Sequence, residues 1–378
     1  MLNGQPIYRK ELSGGTLTVT PTGGTSPLDS LFDIAERRNP KRAFLFVSKV
    51  LGRHIPISPA IMRAVYQKLA QQLPANLPQP VLFIGMAETA VGLGAGVFDE
   101  ALRLFEDAVY LTSTRHPVDG EVMCEFKEDH SHATDHLLYY PSDPTLRAYV
   151  RNARTLVLID DEATTGKTFI NLLKALRAEA GLTTVERVVT VTLTDWSGSA
   201  ITEQCPLPIT TVSLVQGDWN WEKNINAPIP SMPNVNVTAS GSVAITGKQS
   251  WGRLGMAKSA RDLGIAVTAS VDEKILVLGS GEFVWEPLLL AERLESQGAE
   301  VKFSCTTRSP ISTGFAIESA IAFTDNYGLG IPNYVYNVAH QQFDRILLCI
   351  ETPSESIDPV LLAALNTVAP TVEVIVYE

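Results

Sequence analysis

The stretch "LVLIDDEATTGKTFINLL", Leu156 to Leu173, decides the fold. Four apolar residues run into Asp160 and Asp161, a small-residue turn follows, and Phe169, Leu172, Leu173 and Leu176 then recur on one face. This spacing predicts a strand, a tight turn and a helix over 168–180, with Gly181 as its stop. The closing Gly-Lys-Thr invites a triphosphate-loop reading. That motif needs glycine at position 161, where this chain has an aspartate, and a carboxylate is a poor fit to a loop wrapping a triphosphate. A different reading uses every residue. Backbone N–H groups and threonine hydroxyls of Ala163, Thr164, Thr165, Gly166, Lys167 and Thr168 converge on one phosphate at a helix start, with Lys167 the least needed. Asp160 and Asp161 can accept hydrogen bonds from two vicinal hydroxyls, so the expected ligand is a ribose 5-phosphate. An ordinary strand–turn–helix with an acidic cap is the structural alternative.

Working outward, "AFLFVSKV", "PVLFIGM", "DAVYLTST" and "RVVTVTLTD" read as further buried strands between helical segments such as 58–72. Strands alternating with helices predict an α/β domain with a largely parallel sheet over 1–215. From Gln216 the composition turns to Asn, Pro and Ser ("QGDWNWEKNINAPIPSMPNVNVTASGS"), which predicts an irregular arm over 216–260. The α/β pattern resumes with "KILVLG", "PLLLAERLESQG", "EVKFSCT" and "RILLCI", a second, smaller Rossmann-like unit over 261–378.

Composition narrows the function classes. With 378 residues, 45% apolar and 19% charged, the chain reads as soluble and globular. No apolar run reaches the ~18 residues of a membrane span, and the first residues carry no apolar signal core. Cys124, Cys205, Cys305 and Cys349 lie far apart, against a disulfide framework or structural zinc. A cytoplasmic location is expected. A formal charge of −11 gives a nucleic-acid partner little support, so an anion site must be built locally.

Strand, Asp-Asp, Thr-Thr-Gly and helix together resemble the PRPP-binding motif of type I phosphoribosyltransferases, in which a parallel sheet with flanking helices carries a flexible hood. The resemblance implies a pyrophosphate loop after the first core strand, and "VLFIGMAETAVGLGAGV" follows that plan with Gly85, Met86, Ala87, Glu88 and Thr89. Small residues there let amides approach a diphosphate; a Gly-rich helix start packed closely on the sheet is the alternative. It implies a hood in "TSTRHPVDGEVMCEFKEDHSHATDHLLYY", with Arg115, His130 and His136 closing over pyrophosphate and His132 as proton donor or base. A metal site using His-x-His with Glu128, Asp129 and Asp135, or a solvated loop, are the other readings. It places base-contacting residues at Asp195 and Trp196, where Trp196 either stacks on a base or covers the sheet edge. Ser48, Lys49, Arg53 and His54 supply a cationic pair for phosphate or a surface pair.

"FLFVSKVLGRHIP", "IGMAETAVGLG", "HSHATDH", "DDEATTGKT", "WGRLG" and "TTRSPI" together resemble a two-domain family of bacterial tellurite-resistance and stress operons, a phosphoribosyltransferase domain followed by a TRSP domain. In the second unit Gly281, Glu282, Thr307, Arg308, Ser309, Asp325 and Tyr327 are expected to line one pocket, suited to a carboxylate or phosphate, with turn chemistry and packing as the alternative. The resemblance implies PRPP as substrate, Mg2+ held by Asp160 and Asp161 directly or through water, and a small nitrogenous acceptor on the way to a nucleoside-like metabolite. Homodimerisation is left open. A non-catalytic PRPP or nucleotide sensor, and an enzyme cleaving nucleotides or nucleosides at the same site, are the rival functions.

Overall fold

The computed structural model describes residues 6–37, 42–126, 136–227, 241–245, 252–259 and 265–378. Its larger sheet has a parallel core in the spatial order Ala108–Thr112, Val81–Gly85, Thr155–Ile159, Arg187–Asp195, Ile209–Lys223. In chain order that is 2-1-3-4-5, so the direction of winding reverses between Val81–Gly85 and Thr155–Ile159. Ligands of open α/β sheets bind beyond the strand ends at such a reversal. Every residue of the strands Val81–Gly85, Ala108–Thr112 and Thr155–Ile159 is buried. That is why their apolar runs show no alternation, as expected of parallel strands covered on both faces. Among the described residues, no helix is long and apolar enough to cross a membrane.

Two antiparallel strands extend this sheet, Gly15–Gly24 on Ile209–Lys223 and Tyr8–Leu12 on Gly15–Gly24. The strand Ile209–Lys223 runs past position 216 and stays paired to Gly15–Gly24 as far as Lys223. Its outer half has the period of a half-covered strand: Trp219 and Trp221 are partly buried, whereas Asp218, Asn220 and Glu222 are exposed.

The second sheet is also parallel, in the order Glu300–Cys305, Lys274–Gly279, Arg345–Ile350, Thr371–Val376, again with a reversal between its first and third strands. Its two faces have different partners. Ile275, Val277, Leu347 and Cys349 join the core of the larger unit, whereas Leu276, Leu278, Ile346 and Leu348 pack with Leu361 and Leu365 of the helix Pro359–Leu365. The two units therefore share one core. At the seam the helix Val91–Ala101 lies close to the second unit and to the helix Pro59–Ala70. A Cβ on Gly92 would stand 2.8 Å from Val284 Cγ1, and one on Gly96 2.1 Å from Tyr66 Cδ2.

Each unit also covers an edge strand of the other. Ile57 exchanges backbone hydrogen bonds with Phe303 (3.0 and 2.7 Å), and Met256 with Tyr110 (2.9 Å each way).

Candidate functional site

The loop after Thr155–Ile159 is fixed by the neighbouring strand. Asp160 N–H donates to Val191 O, Asp161 O accepts from Leu193 and Thr194, and Trp196 N–H donates to Ala163 O. The two carboxylates therefore leave the sheet at the reversal. Asp161 N–H donates to Asp160 Oδ1 at 2.9 Å. Burial, then the neighbouring Glu162, pushes the Asp161 carboxyl up to about 6. Glu162 is itself held by Arg42 (2.7 Å) and accepts from Thr164 Oγ1 (3.2 Å).

The turn closes at Gly166 with φ 71°, which caps the twelve-residue helix Lys167–Ala178. Only glycine fits here, since a Cβ would also stand 2.0 Å from Ile201 Cγ1. First-turn amides of a helix have no intrahelical acceptor, so the N-terminus of this helix favours an anion; Lys167 N–H is directed to Thr165 Oγ1 at 3.5 Å. Thr164, Thr165 and Thr168 are half-buried, and Lys167 is exposed.

The second loop, Met86 to Ala90, stands beside the first. Met86 N–H donates to Ile159 O at 2.9 Å, and the Ala87–Glu88 peptide is cis. Ala87 N–H donates to Ser113 Oγ (2.8 Å), which contacts His136 Nδ1 (3.0 Å), and His136 Nε2 meets Arg115 Nη2 (3.1 Å). A guanidinium only donates, so Nε2 must accept and the ring hydrogen sits on Nδ1, facing Ser113. His136 is fully buried on the strand His136–Tyr139. Both of its nitrogens are engaged within the protein. His130, His132, Glu128, Asp129 and Asp135 lie outside the described residues.

Glu88 is where the two units meet. Its carboxylate accepts from Arg308 Nε at 3.0 Å and its carbonyl from Arg53 Nη2 at 2.6 Å. Against the upward push of burial, Arg308, Arg53 and Arg115 hold the carboxyl down at about 2. Arg53, offered by the sequence as a phosphate contact or a surface pair, is instead buried and also donates to Gly281 O, Thr306 O and Cys305 Sγ. His54 beside it is buried against the second unit, and burial, then Arg53, lowers its imidazole to about 3. Lys49 is half-buried and donates to Asp29 O.

The C-terminal strand ends of the second sheet face the Glu88 loop. Glu282 accepts from Thr114 Oγ1 (2.6 Å) and Arg115 N–H (2.9 Å), and Glu351 takes both Arg253 nitrogens. Tyr327 donates to Glu351 and stacks on His116 at 4.1 Å. Gly281, Glu282, Arg308, Asp325 and Tyr327 line one narrow cavity, and Glu88, Arg115 and His116 of the larger unit complete it. Asp325 is also spent on its own loop, accepting from the amides of Tyr327, Leu329 and Ile331. Thr307 pairs with Tyr334 and accepts from Ser309 N–H, outside the cavity lining.

Trp196 and Asp195 are placed differently from base contacts. Trp196 is 6% exposed, with Phe46 stacked on one face at 5.1 Å, so the indole is part of the core. Asp195 accepts from the Ser197 amide and hydroxyl and shapes the turn. The sequence reading gave no role to Arg42, Arg253 or Glu351. "WGRLG" reads as a motif in the sequence, and the fold brings its Arg253 to Glu351.

Residues 31–218 match the family described as phosphoribosyl transferase, and residues 247–365 match the TRSP domain that lies C-terminal to it. The chain belongs to the family in which a phosphoribosyl transferase domain is followed by a TRSP domain. Its larger unit has the phosphoribosyltransferase fold and its second unit is a smaller parallel α/β domain. No curated protein matches the chain. Similar solved structures include adenine phosphoribosyltransferase from Trypanosoma brucei in complex with AMP, pyrophosphate and ribose-5-phosphate, at 16% identity and TM-score 0.29, covering 41% of this chain and 65% of that one. The Rhodothermus marinus adenine enzyme shows 16% identity and TM-score 0.32, over 50% and 94% of the two chains. Orotate phosphoribosyltransferase from Aeropyrum pernix shows 17% and 0.27, over 46% and 80%.

Proposed function

We propose that the protein transfers the phosphoribosyl group of PRPP to a nitrogen of a small base-like acceptor, with release of pyrophosphate. One observation carries this reading. At the reversal of the larger sheet the Glu88 loop and the Asp160–Thr168 loop emerge side by side, tied by Met86 N–H to Ile159 O. A diphosphate on the first loop and a 5-phosphate on the second bracket a ribose whose hydroxyls meet Asp160 and Asp161.

The C1–oxygen bond to diphosphate breaks and its electron pair leaves with the diphosphate. The acceptor nitrogen supplies the pair of the new C1–N bond and loses its proton. The aspartates stabilise positive charge at the ribose as that bond loosens. Ser113 and His136 keep the leaving-group loop in place from beneath.

Among the described residues no three His, Cys, Asp or Glu side chains are grouped to cage a metal. Magnesium does not require such a cage, since it keeps waters and shares one or two carboxylates with substrate phosphates. The half-buried pair Asp160 and Asp161, adjacent at the strand end, suits such an ion. Mg2+ held there, directly or through water, would draw charge off the departing diphosphate.

The test is PRPP binding by calorimetry and pyrophosphate release with a panel of bases and cell extract. Asp160→Asn with Asp161→Asn should abolish PRPP binding, and unchanged affinity in that variant refutes the site. Tight PRPP binding without turnover for any acceptor would make the protein a sensor.

A further inference from the structure

Two guanidiniums from distant parts of the chain hydrogen-bond to Glu88, and a third shares its cavity. Arg308 holds the carboxylate from the C-terminal domain. Arg53 holds the carbonyl of the same residue and ties it to the carbonyls of Gly281 and Thr306. Arg115 lines the cavity that Glu88 and Arg308 share. Arg53 is 3% exposed, and besides the Glu88 carbonyl it donates to the carbonyls of Gly281 and Thr306 and to the Cys305 sulfur. Glu282 of the same cavity is engaged by Thr114, the Arg115 amide and, at 3.6 Å, Arg253.

A bare carboxylate beside a diphosphate would repel it strongly in a poorly solvated site. Pairing Glu88 with Arg308 removes that repulsion. It also fixes the side chain at the centre of the loop whose amides would meet the diphosphate. Holds on this loop from the larger unit include Ala87 on Ser113, Met86 on Ile159 and Arg53 on the Glu88 carbonyl. The loop is therefore gripped from both domains.

We propose that Arg308 is a positioning residue of the diphosphate subsite, acting through Glu88, so that the C-terminal domain completes the leaving-group half of the transferase site. This rests on the transferase reading above. Arg308 acts on Glu88 in the leaving-group half, and ribose 5-phosphate, which lacks the diphosphate, tests the 5-phosphate half apart from it.

The experiment is calorimetric titration of the full-length wild type, R308Q and R308K with PRPP, inorganic pyrophosphate and ribose 5-phosphate. Loss of one charge-assisted hydrogen bond is expected to weaken PRPP and pyrophosphate about tenfold in R308Q. Ribose 5-phosphate should stay within about twofold, and R308K should recover most of the loss. If R308Q does not fold, R308K carries the test, with the same selective loss in smaller size. Unchanged pyrophosphate and PRPP affinities overturn the inference, as does a parallel loss of ribose 5-phosphate binding. A wild type that binds neither PRPP nor ribose 5-phosphate overturns the transferase reading and this inference with it.

Discussion

Arg253 and Glu351, 98 positions apart, form a bidentate ion pair of 2.7 and 2.8 Å with both side chains buried. Arg253 arrives on the segment that lies along the Ala108–Thr112 edge, and Glu351 follows the strand Arg345–Ile350. The pair therefore joins the two sheets. Arg253→Met leaves a buried carboxylate without its partner and should cost about 3–5 kcal/mol. Adding Glu351→Leu removes that orphan charge and should restore much of the loss. Denaturant titration decides: a double variant less stable than Arg253→Met would show that the pair is not the source.

Asp161 combines a function with a structural cost. Its folded carboxyl titrates at about 6 against 3.8 for an unperturbed aspartate, so the native state holds the proton more tightly than the unfolded chain. The associated stability is present below about 4 and lost as pH rises through about 6. Asp161→Asn cannot ionise. It should melt about 2 °C or more above wild type at pH 7.5, with the gap closing toward pH 4, while PRPP affinity is lost. A melting temperature lower than wild type at pH 7.5 would contradict the assigned strain.

Acid should weaken the seam between the domains in two stages. His54 is held at about 3 in the folded protein against 6.5 unfolded, so stability falls as pH drops from about 6.5 toward 3. Glu88 is held at about 2 against 4.5, so its contribution is present above 4.5 and lost as pH falls toward 2. His54→Phe should flatten the first stage and Glu88→Gln the second. Urea midpoints between pH 7.5 and 3 measure both, and an unchanged slope in either variant removes that residue from the account.

Gly166→Ala places a side chain at φ 71° and against Ile201. A loss of about 1–3 kcal/mol is expected, together with weakened ribose 5-phosphate binding. Ile201→Ala in the same chain should relieve the clash but not the backbone strain, recovering stability only in part. Full recovery by that second change would locate the whole effect in packing.

Much of this was legible in the sequence because it is local. The four apolar residues before Asp160, the small turn and the 3.6-residue period after it specify strand, turn and helix without help from elsewhere. The Glu88 loop likewise follows an unbroken buried strand. The long strand ending at Lys223 was hidden, because its alternation of Trp219 and Trp221 with polar residues is diluted by the Asn- and Pro-rich composition that follows. The N-terminal strands were missed for a related reason. "GTLTVTPTGG" alternates with period two, but its partner lies about two hundred residues away, at Val215 to Lys223. The setting of Trp196 depends on Phe46, and that of Arg53 on Gly281 and Thr306. No spacing within either segment announces such contacts. Charge was least legible of all: Arg53, beside His54 and four residues after Lys49, reads as a surface cation or a phosphate contact, and only the fold shows it buried.

The reciprocal edge pairing of Ile57 with Phe303 and Met256 with Tyr110 has a consequence for how such a chain can be rearranged. Neither half has a clean seam along which it could be cut, because each finishes its sheet with a piece of the other. A hybrid joining this transferase half to a related C-terminal half would need compatible versions of both the segment before the helix Pro59–Ala70 and the segment around Gly252–Met256. The natural unit of inheritance is therefore the pair, and calorimetry of the intact chain should record one melting transition.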